Sequence, residues 1–238
     1  TRIIHGDNAF CIQHAQNHAC LGGNHNTHLA WSDLPAGTKS LALICHDPDV
    51  PSRGDDVNQE GRTVPASLPR VDFFHWVLVD LPTEPPHIEA GEFSQDVMPR
   101  GKNGPGTARG ARQGLNDYTG WFAGDAERAG NYFGYDGPFP PFNDSLVHHY
   151  VFTLYALGVA RLPVEGHFNG AQVRAALDEA GARHGRFLCL SVRVPPTLAG
   201  CRWAGLDVKA WLERRLINVL VLSPSMTLAH DMPADEFV

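Results

Sequence analysis

The chain has 238 residues, a formal net charge of −7 and a sequence pI near 6.0. This length fits one large domain with its own hydrophobic core. The negative charge argues against a general nucleic-acid-binding surface, although a small anion could still bind locally. No apolar stretch reaches the ~18 residues of a membrane-spanning helix.

Composition points to a fold built from strands. The 24 glycines and 18 prolines, in a chain that is 43% hydrophobic, favour short strands joined by turns over a helical bundle. The five cysteines lack the paired spacing of a zinc or redox motif, which is typical of a reducing cytoplasm. The N-terminus shows no signal peptide, but the sequence starts at Thr1, so a removed leader stays an open alternative.

Residues 1–28 are polar, rich in histidine and without clear periodicity, so we expect mostly loop. His14 and His18 are four residues apart and are flanked by Cys11 and Cys20, a set that would bind a metal on one face of a helix. No apolar residues support such a helix. We therefore predict a solvated segment, with no metal and no cofactor.

The apolar run that begins at Leu41 predicts a buried strand, and it ends in Asp47-Pro48-Asp49-Val50-Pro51. Proline fixes its own φ and disfavours helix in the preceding residue, so this segment forms a stiff rim just beyond the strand. Its two carboxylates indicate one wall of a binding site. Residues 52–70 then read as a long surface loop.

A second strand is predicted over residues 73–81, where His75 interrupts an otherwise apolar series. A histidine in such a strand is most often a core residue with a hydrogen-bond partner, and a functional role is the alternative. A third strand begins at His148, where alternation places His148 and Tyr150 on one face and His149 on the other.

The last third of the chain carries the clearest helix signal. Asn169 and Gln172 form a capping pair for a helix over about 170–181, which Gly181 would end. Beyond it, the pattern predicts a strand at 187–192, a helix at 207–216, an apolar run at 217–222 and a polar tail.

Four motifs, taken in order, resemble the phosphatidylethanolamine-binding protein (PEBP) family, specifically its bacterial Raf-kinase-inhibitor-like branch. They are Asp47-Pro48-Asp49-Val50-Pro51-Ser52-Arg53, Phe74-His75-Trp76-Val77-Leu78-Val79, Gly137-Pro138-Phe139-Pro140-Pro141 and His148-His149-Tyr150-Val151-Phe152. The resemblance covers about residues 20–186. It implies a mainly β fold in which a large central sheet packs against a smaller sheet, with a few peripheral helices.

The resemblance also implies a small pocket at one end of the fold, which in the family holds phosphate, phosphoryl head groups or small acids such as acetate. Carried over to this chain, the pocket is lined by Asp47, Asp49, Val50, Pro51, His75, Pro140, Pro141, His148 and Tyr150. Residues 29–186 form the PEBP-like β domain, 1–28 match poorly and 187–238 diverge. Either the ends are new, or the terminal sequence has been altered, as by a frameshift.

The predicted function is non-catalytic binding of a small anion or phospholipid head group. A carboxylate that accepts from one histidine nitrogen leaves the other nitrogen free to donate to the ligand. A regulator of kinases or other proteins is the first alternative, and a weak hydrolase is the second. No nucleophile elbow or activated serine or cysteine supports the hydrolase. A homodimer and a cytoplasmic location are further expectations.

Overall fold

The computed structural model describes residues 6–14, 18–184, 187–189, 191–194 and 219–222. Their secondary structure is mainly β. The strands are β1 (Cys11–His14), β2 (His18–Leu21), β3 (Leu29–Ala30), β4 (Ser40–Pro51), β5 (Arg70–Leu81), β6 (His87–Ile88), β7 (Gly101–Lys102), β8 (Arg112–Gln113), β9 (Asn131–Tyr132), β10 (Val151–Leu157), β11 (Phe187–Cys189), β12 (Ser191–Val194) and β13 (Val219–Leu222). The helices are α1 (Tyr118–Trp121) and α2 (Gly170–His184), with 3₁₀ turns at Gly6–Asn8 and Ala108–Gly110.

A five-stranded antiparallel sheet in the order β11-β10-β4-β5-β8 forms the centre of the fold. Its two longest strands, β4 and β5, have 12 residues each and are buried along most of their length. Alternation along β4 directs Leu41 and Leu43 to one face and Ala42 and Ile44 to the other. Both faces are apolar because each is covered by another layer.

One hydrophobic cluster joins the central sheet to the small β3-β6 pair through Trp31, Trp76 and Ile88. A second cluster joins the opposite face to α2 through Val173 and Leu177. This arrangement confirms the prediction of a mainly β fold with few helices. Within the described residues, no helix combines the length and apolarity needed to cross a membrane.

The α2 helix begins as predicted. The Asn169 side chain accepts from the Gln172 backbone N–H, and the Gln172 side chain accepts from the Asn169 N–H, each at 3.0 Å. The predicted stop at Gly181 is wrong, since the helix continues to His184. A glycine inside a helix costs only about 1 kcal/mol, so it does not by itself end one.

The chain ends differ in part from the sequence prediction. Within residues 6–14 and 18–28, predicted as mostly loop, β1 pairs antiparallel with β2, and Phe10 packs against Tyr118 with ring centroids 4.5 Å apart. The apolar run at 217–222 contains β13, which pairs in parallel with β12. The helix predicted at 207–216 lies outside the described residues.

We expect Val77→Ala to lower the free energy of unfolding by about 2 kcal/mol, because it removes two buried methyl groups from the core. Val71→Ala makes the same chemical change on the same strand, where the side chain is 47% exposed and Val77 is 0% exposed. This control is expected to change stability by less than about 0.5 kcal/mol. Urea denaturation measures both, and equal losses would contradict the assignment of β5 to the core.

Candidate functional site

His75 occupies a β-bulge in the central sheet. The register pairs Cys45 with Trp76 but His46 with Phe74, so His75 is an extra residue on β5. Phe74 and Trp76 consequently pack in different hydrophobic clusters, although strict alternation would place them on one face. The bulge re-aims the His75 side chain toward the end of the sheet, where the proline-rich rim lies.

The rim itself is a continuation of β4 and does not lie beyond the strand as predicted. The register pairs Asp47 with Phe73 and Val50 with Val71, which leaves one extra residue on β4. Pro48 has no N–H to donate, and a bulge is a position where a strand tolerates that loss. The Asp49 backbone N–H instead donates to Asp47 Oδ1 at 2.8 Å, which fixes the bend.

A pocket of about 50 Å³ opens between the rim, the His75 bulge and the proline-rich segment 137–141 (the proline hairpin). Eight of the nine predicted site residues line it: Asp47, Val50, Pro51, His75, Pro140, Pro141, His148 and Tyr150. Asp49 does not line the pocket, because its carboxylate accepts from the His149 backbone N–H at 2.9 Å and lies 2.7 Å from His149 Nδ1. That pair stands on the outer side of the rim.

Six further residues complete the lining: Val57, Asn58, Phe73, Tyr118, Trp121 and Phe139. Two of them belong to the 52–70 segment, which the sequence presents as a surface loop. Asn143 holds this loop against the proline hairpin by donating to the carbonyls of Asp56, Gln59 and Arg62. Phe139 lies within one predicted motif and Phe73 adjoins another, so position alone could have identified them, but no local signal marks Val57 or Trp121.

A chain of four charged side chains runs behind the pocket wall. Asp47 Oδ2 lies 2.6 Å from His148 Nδ1, and His148 Nε2 lies 3.2 Å from Asp144 Oδ2. Arg70 then binds both oxygens of Asp144, at 2.5 and 3.0 Å. The side chains of Asp47, His148 and Asp144 are each 1–2% exposed, so these contacts are shielded from water.

These contacts set the protonation state of His148. Burial lowers its pKa, but hydrogen bonds and charge from Asp47 and Asp144 outweigh burial and raise it above the ordinary value. Burial likewise raises the pKa of Asp144, and the bonds from Arg70, Leu146 and His148 bring it below its usual value. His148 is therefore an imidazolium between two carboxylates, and neither nitrogen is free for a ligand as the sequence led us to expect.

His75 is in the opposite state. Its Nδ1 lies 2.8 Å from the Asp136 carbonyl oxygen, and the residue is 3% exposed. Burial lowers its pKa to about 4, although nearby backbone carbonyls and Asp47 act to raise it. The ring packs edge-on against Tyr118 and Tyr150, with centroids 5.7 and 5.2 Å away. His75 is thus a neutral imidazole at physiological pH.

A buried polar cluster holds the Asp136 segment in place behind His75. The Asp136 carboxylate accepts from Asn24 and Asn116 at 2.8 and 2.7 Å and pairs with Lys102 Nζ at 2.9 Å. Burial lowers the pKa of Lys102 and raises that of Asp136. Because every polar group of the cluster has a partner, the cluster fixes the backbone that orients His75.

The Tyr150 hydroxyl is buried and makes no well-formed hydrogen bond within the described residues, although the Asp47 carboxylate is close enough to attract its proton. Burial and the neighbouring Asp47 charge raise its pKa, so it keeps its proton. A buried hydroxyl without a well-formed hydrogen bond is costly in a folded protein.

The family model described as phosphatidylethanolamine-binding protein matches residues 7–187. The chain belongs to the phosphatidylethanolamine-binding protein family. The match begins upstream of residue 29, in agreement with the packing of Phe10 into the domain.

Two Escherichia coli relatives illustrate the degree of similarity. The UPF0098 protein YbcL is 30% identical over 161 residues, which cover 67% of each chain. The UPF0098 protein YbhB is 31% identical over 154 residues, which cover 64% of this chain and 72% of the relative. The crystal structure of YbcL, described as a new member of the mammalian PEBP family, aligns with a TM-score of 0.49 and 26% identity, covering 74% of this chain and 82% of YbcL.

The described side chains that line this pocket include no serine or cysteine that could act as a nucleophile. Burial raises the pKa of the Cys45 thiol well above its ordinary value, so it is not a thiolate. Among the described residues, no group of three His, Cys, Asp or Glu side chains is arranged to hold a metal ion. The side chains of His14, His18 and Cys20, considered above as metal ligands, lie outside the described part of the chain.

We expect Asp144→Asn to lower the pKa of His148, because the substitution removes one of the two carboxylate charges that stabilise the imidazolium. An NMR titration of the His148 ring measures this pKa. Asp49→Asn is the matched control, since that carboxylate pairs with His149 and should leave the His148 pKa unchanged. An unchanged His148 pKa in Asp144→Asn would contradict the described charge chain.

Lys102→Met is expected to destabilise the fold by about 3–5 kcal/mol, because it leaves the Asp136 carboxylate buried without its cation. Lys39→Met, at an exposed position, should change stability by less than about 0.5 kcal/mol. The double variant Lys102→Met/Asp136→Asn should recover part of the loss. Additive losses in thermal or urea denaturation would show that the two side chains do not interact.

Proposed function

We propose that the pocket is a non-catalytic binding site for one small oxyacid group: phosphate, a phosphoryl head group such as phosphoethanolamine, or a small carboxylate. The observation that carries this proposal is the buried hydroxyl of Tyr150, which makes no well-formed hydrogen bond within the described residues and belongs to a residue that lines the pocket together with neutral His75. A ligand oxygen is the partner that this hydroxyl requires.

The shape of the pocket supports a small and well-positioned ligand. Its volume of about 50 Å³ has room for a few non-hydrogen atoms. Its proline walls and the pinned 52–70 loop lose little freedom when a ligand enters, which favours binding. The mouth of the pocket is apolar and includes Trp121, which is 48% exposed, so it suits the organic substituent of an ester or acid.

Hydrolysis is less well supported by the same residues. A general base needs a free ring nitrogen with a pKa near the working pH. Both nitrogens of His148 are bound to carboxylates, and the pKa of His75, at about 4, makes it a weak base. The Asp47 and His148 pair therefore serves to hold the pocket wall.

Isothermal titration calorimetry with phosphate, acetate and phosphoethanolamine tests the proposal. We expect at least one of these to bind, and Tyr150→Phe to weaken it by about tenfold, because a hydrogen bond to a charged group contributes about 1.5 kcal/mol. The unfolding temperature should change little, because no well-formed hydrogen bond joins the hydroxyl to a described protein group.

Tyr155→Phe is the matched control, because Tyr155 packs with the second hydrophobic cluster on the opposite side of β10. Its affinity should equal that of the wild type. The proposal would be abandoned if none of the three ligands produced heat of binding, or if Tyr150→Phe and Tyr155→Phe bound them equally well.

A further inference from the structure

The pocket contains no surplus positive charge, which is unusual for a site that binds an oxyacid. Behind its wall, the charges of Asp47 and Asp144 are balanced by those of His148 and Arg70. Within the described lining, the histidines are the only side chains able to carry positive charge, and His75 is neutral. A fully deprotonated anion would therefore find no free cation.

The hydrogen bond of His75 also determines what its ring offers. A carbonyl oxygen only accepts, so Nδ1, 2.8 Å from the Asp136 oxygen, must carry the ring proton. In a neutral imidazole the other nitrogen, Nε2, is then an acceptor. A ligand oxygen that meets Nε2 must bring a hydrogen, because two lone pairs repel each other.

The titratable groups around His75 do not reverse this assignment. Asp47 on β4 raises the pKa of His75, whereas His148 before β10 lowers it. Tyr118 and Tyr150 are protonated, because burial raises the pKa of each hydroxyl. On the far side, Asp136 and Lys102 form an ion pair with each other. Burial remains the dominant influence and keeps His75 neutral.

Other polar side chains of the lining already have protein partners: Asp47 and Asn58 accept from protein N–H groups, and Tyr118 donates to the Gly137 carbonyl. This leaves His75 Nε2 as an acceptor and the Tyr150 hydroxyl as a donor for a ligand. A group of the form X(=O)–OH is complementary to this pair, since its hydroxyl donates to His75 and its oxygen accepts from Tyr150. A phosphate monoester monoanion and an un-ionised carboxylic acid both have this form. A sulfate ester has the same shape and charge as the phosphate monoanion but has no proton to donate.

Resting on the proposed function, we propose that the pocket selects the protonated form of its oxyacid ligand and that His75 is the residue that determines this specificity. One proton is bound in the complex for each ligand. It comes with the ligand or, where the ligand is deprotonated in solution, from the solvent. Binding is therefore linked to pH through the ligand.

Methyl phosphate and methyl sulfate are the probes that separate proton donation from charge. At pH 5.5 both are mainly monoanions, because the second pKa of a phosphate monoester is about 6. We expect calorimetry to show methyl phosphate binding at least about tenfold more tightly than methyl sulfate, the cost of one unmade buried hydrogen bond. The affinity for methyl phosphate should fall by about tenfold per pH unit above about 6.

His75→Gln supplies the matched variant, because an amide offers both a donor and an acceptor. It should bind the two probes with affinities within about threefold of each other and lose the pH dependence. Equal wild-type affinities, independent of pH, would overturn this inference and leave the proposed function standing. Absence of binding by both probes and by the ligands tested above would remove the proposed function itself. If His75→Gln fails to fold, the wild-type comparison alone decides.

Discussion

The contact between Asp47 and His148, 2.6 Å long and shielded from water, joins the end of β4 to the segment that leads into β10. Burying an unbalanced charge would cost too much free energy. The Asp47–His148 contact is stable in the interior because His148 also contacts Asp144, which in turn binds Arg70. This chain of contacts ties the proline hairpin and the start of β5 to the same point. The wall of the pocket is thus positioned by charged side chains that are almost fully buried and are bound to each other.

A second buried ion pair, between Lys102 and Asp136, determines the other wall. By fixing the backbone carbonyl of Asp136, it sets the tautomer of His75 without touching the ring's remaining nitrogen. The two histidines of the pocket therefore differ sharply. His148 is charged and has a structural role, whereas His75 is neutral and is the ring that meets the proposed ligand.

The class of fold could be predicted because its signals are local, whereas the candidate pocket residues come from the resemblance of four motifs to the PEBP family. Apolar runs identify β4 and β5, and the proline motifs identify the rim and hairpin. The sequence could not predict the bulge at His75, because a bulge depends on the register between two strands. Nor could it predict the contact between Asp144 and the second ring nitrogen of His148, because that contact depends on how segment 137–148 folds. The same resemblance assigns Asp49 to the pocket, whereas in the structure its carboxylate pairs with His149.

The central claim is that the pocket combines a neutral His75 acceptor with a charge-balanced wall. Neutron diffraction from crystals at pH 7 tests it directly by locating the hydrogen atoms. We expect a hydrogen on Nδ1 and none on Nε2 of His75, hydrogens on both ring nitrogens of His148, and one on the Tyr150 hydroxyl. A hydrogen on Nε2 of His75, or a neutral His148, would show that the protonation states described above are wrong.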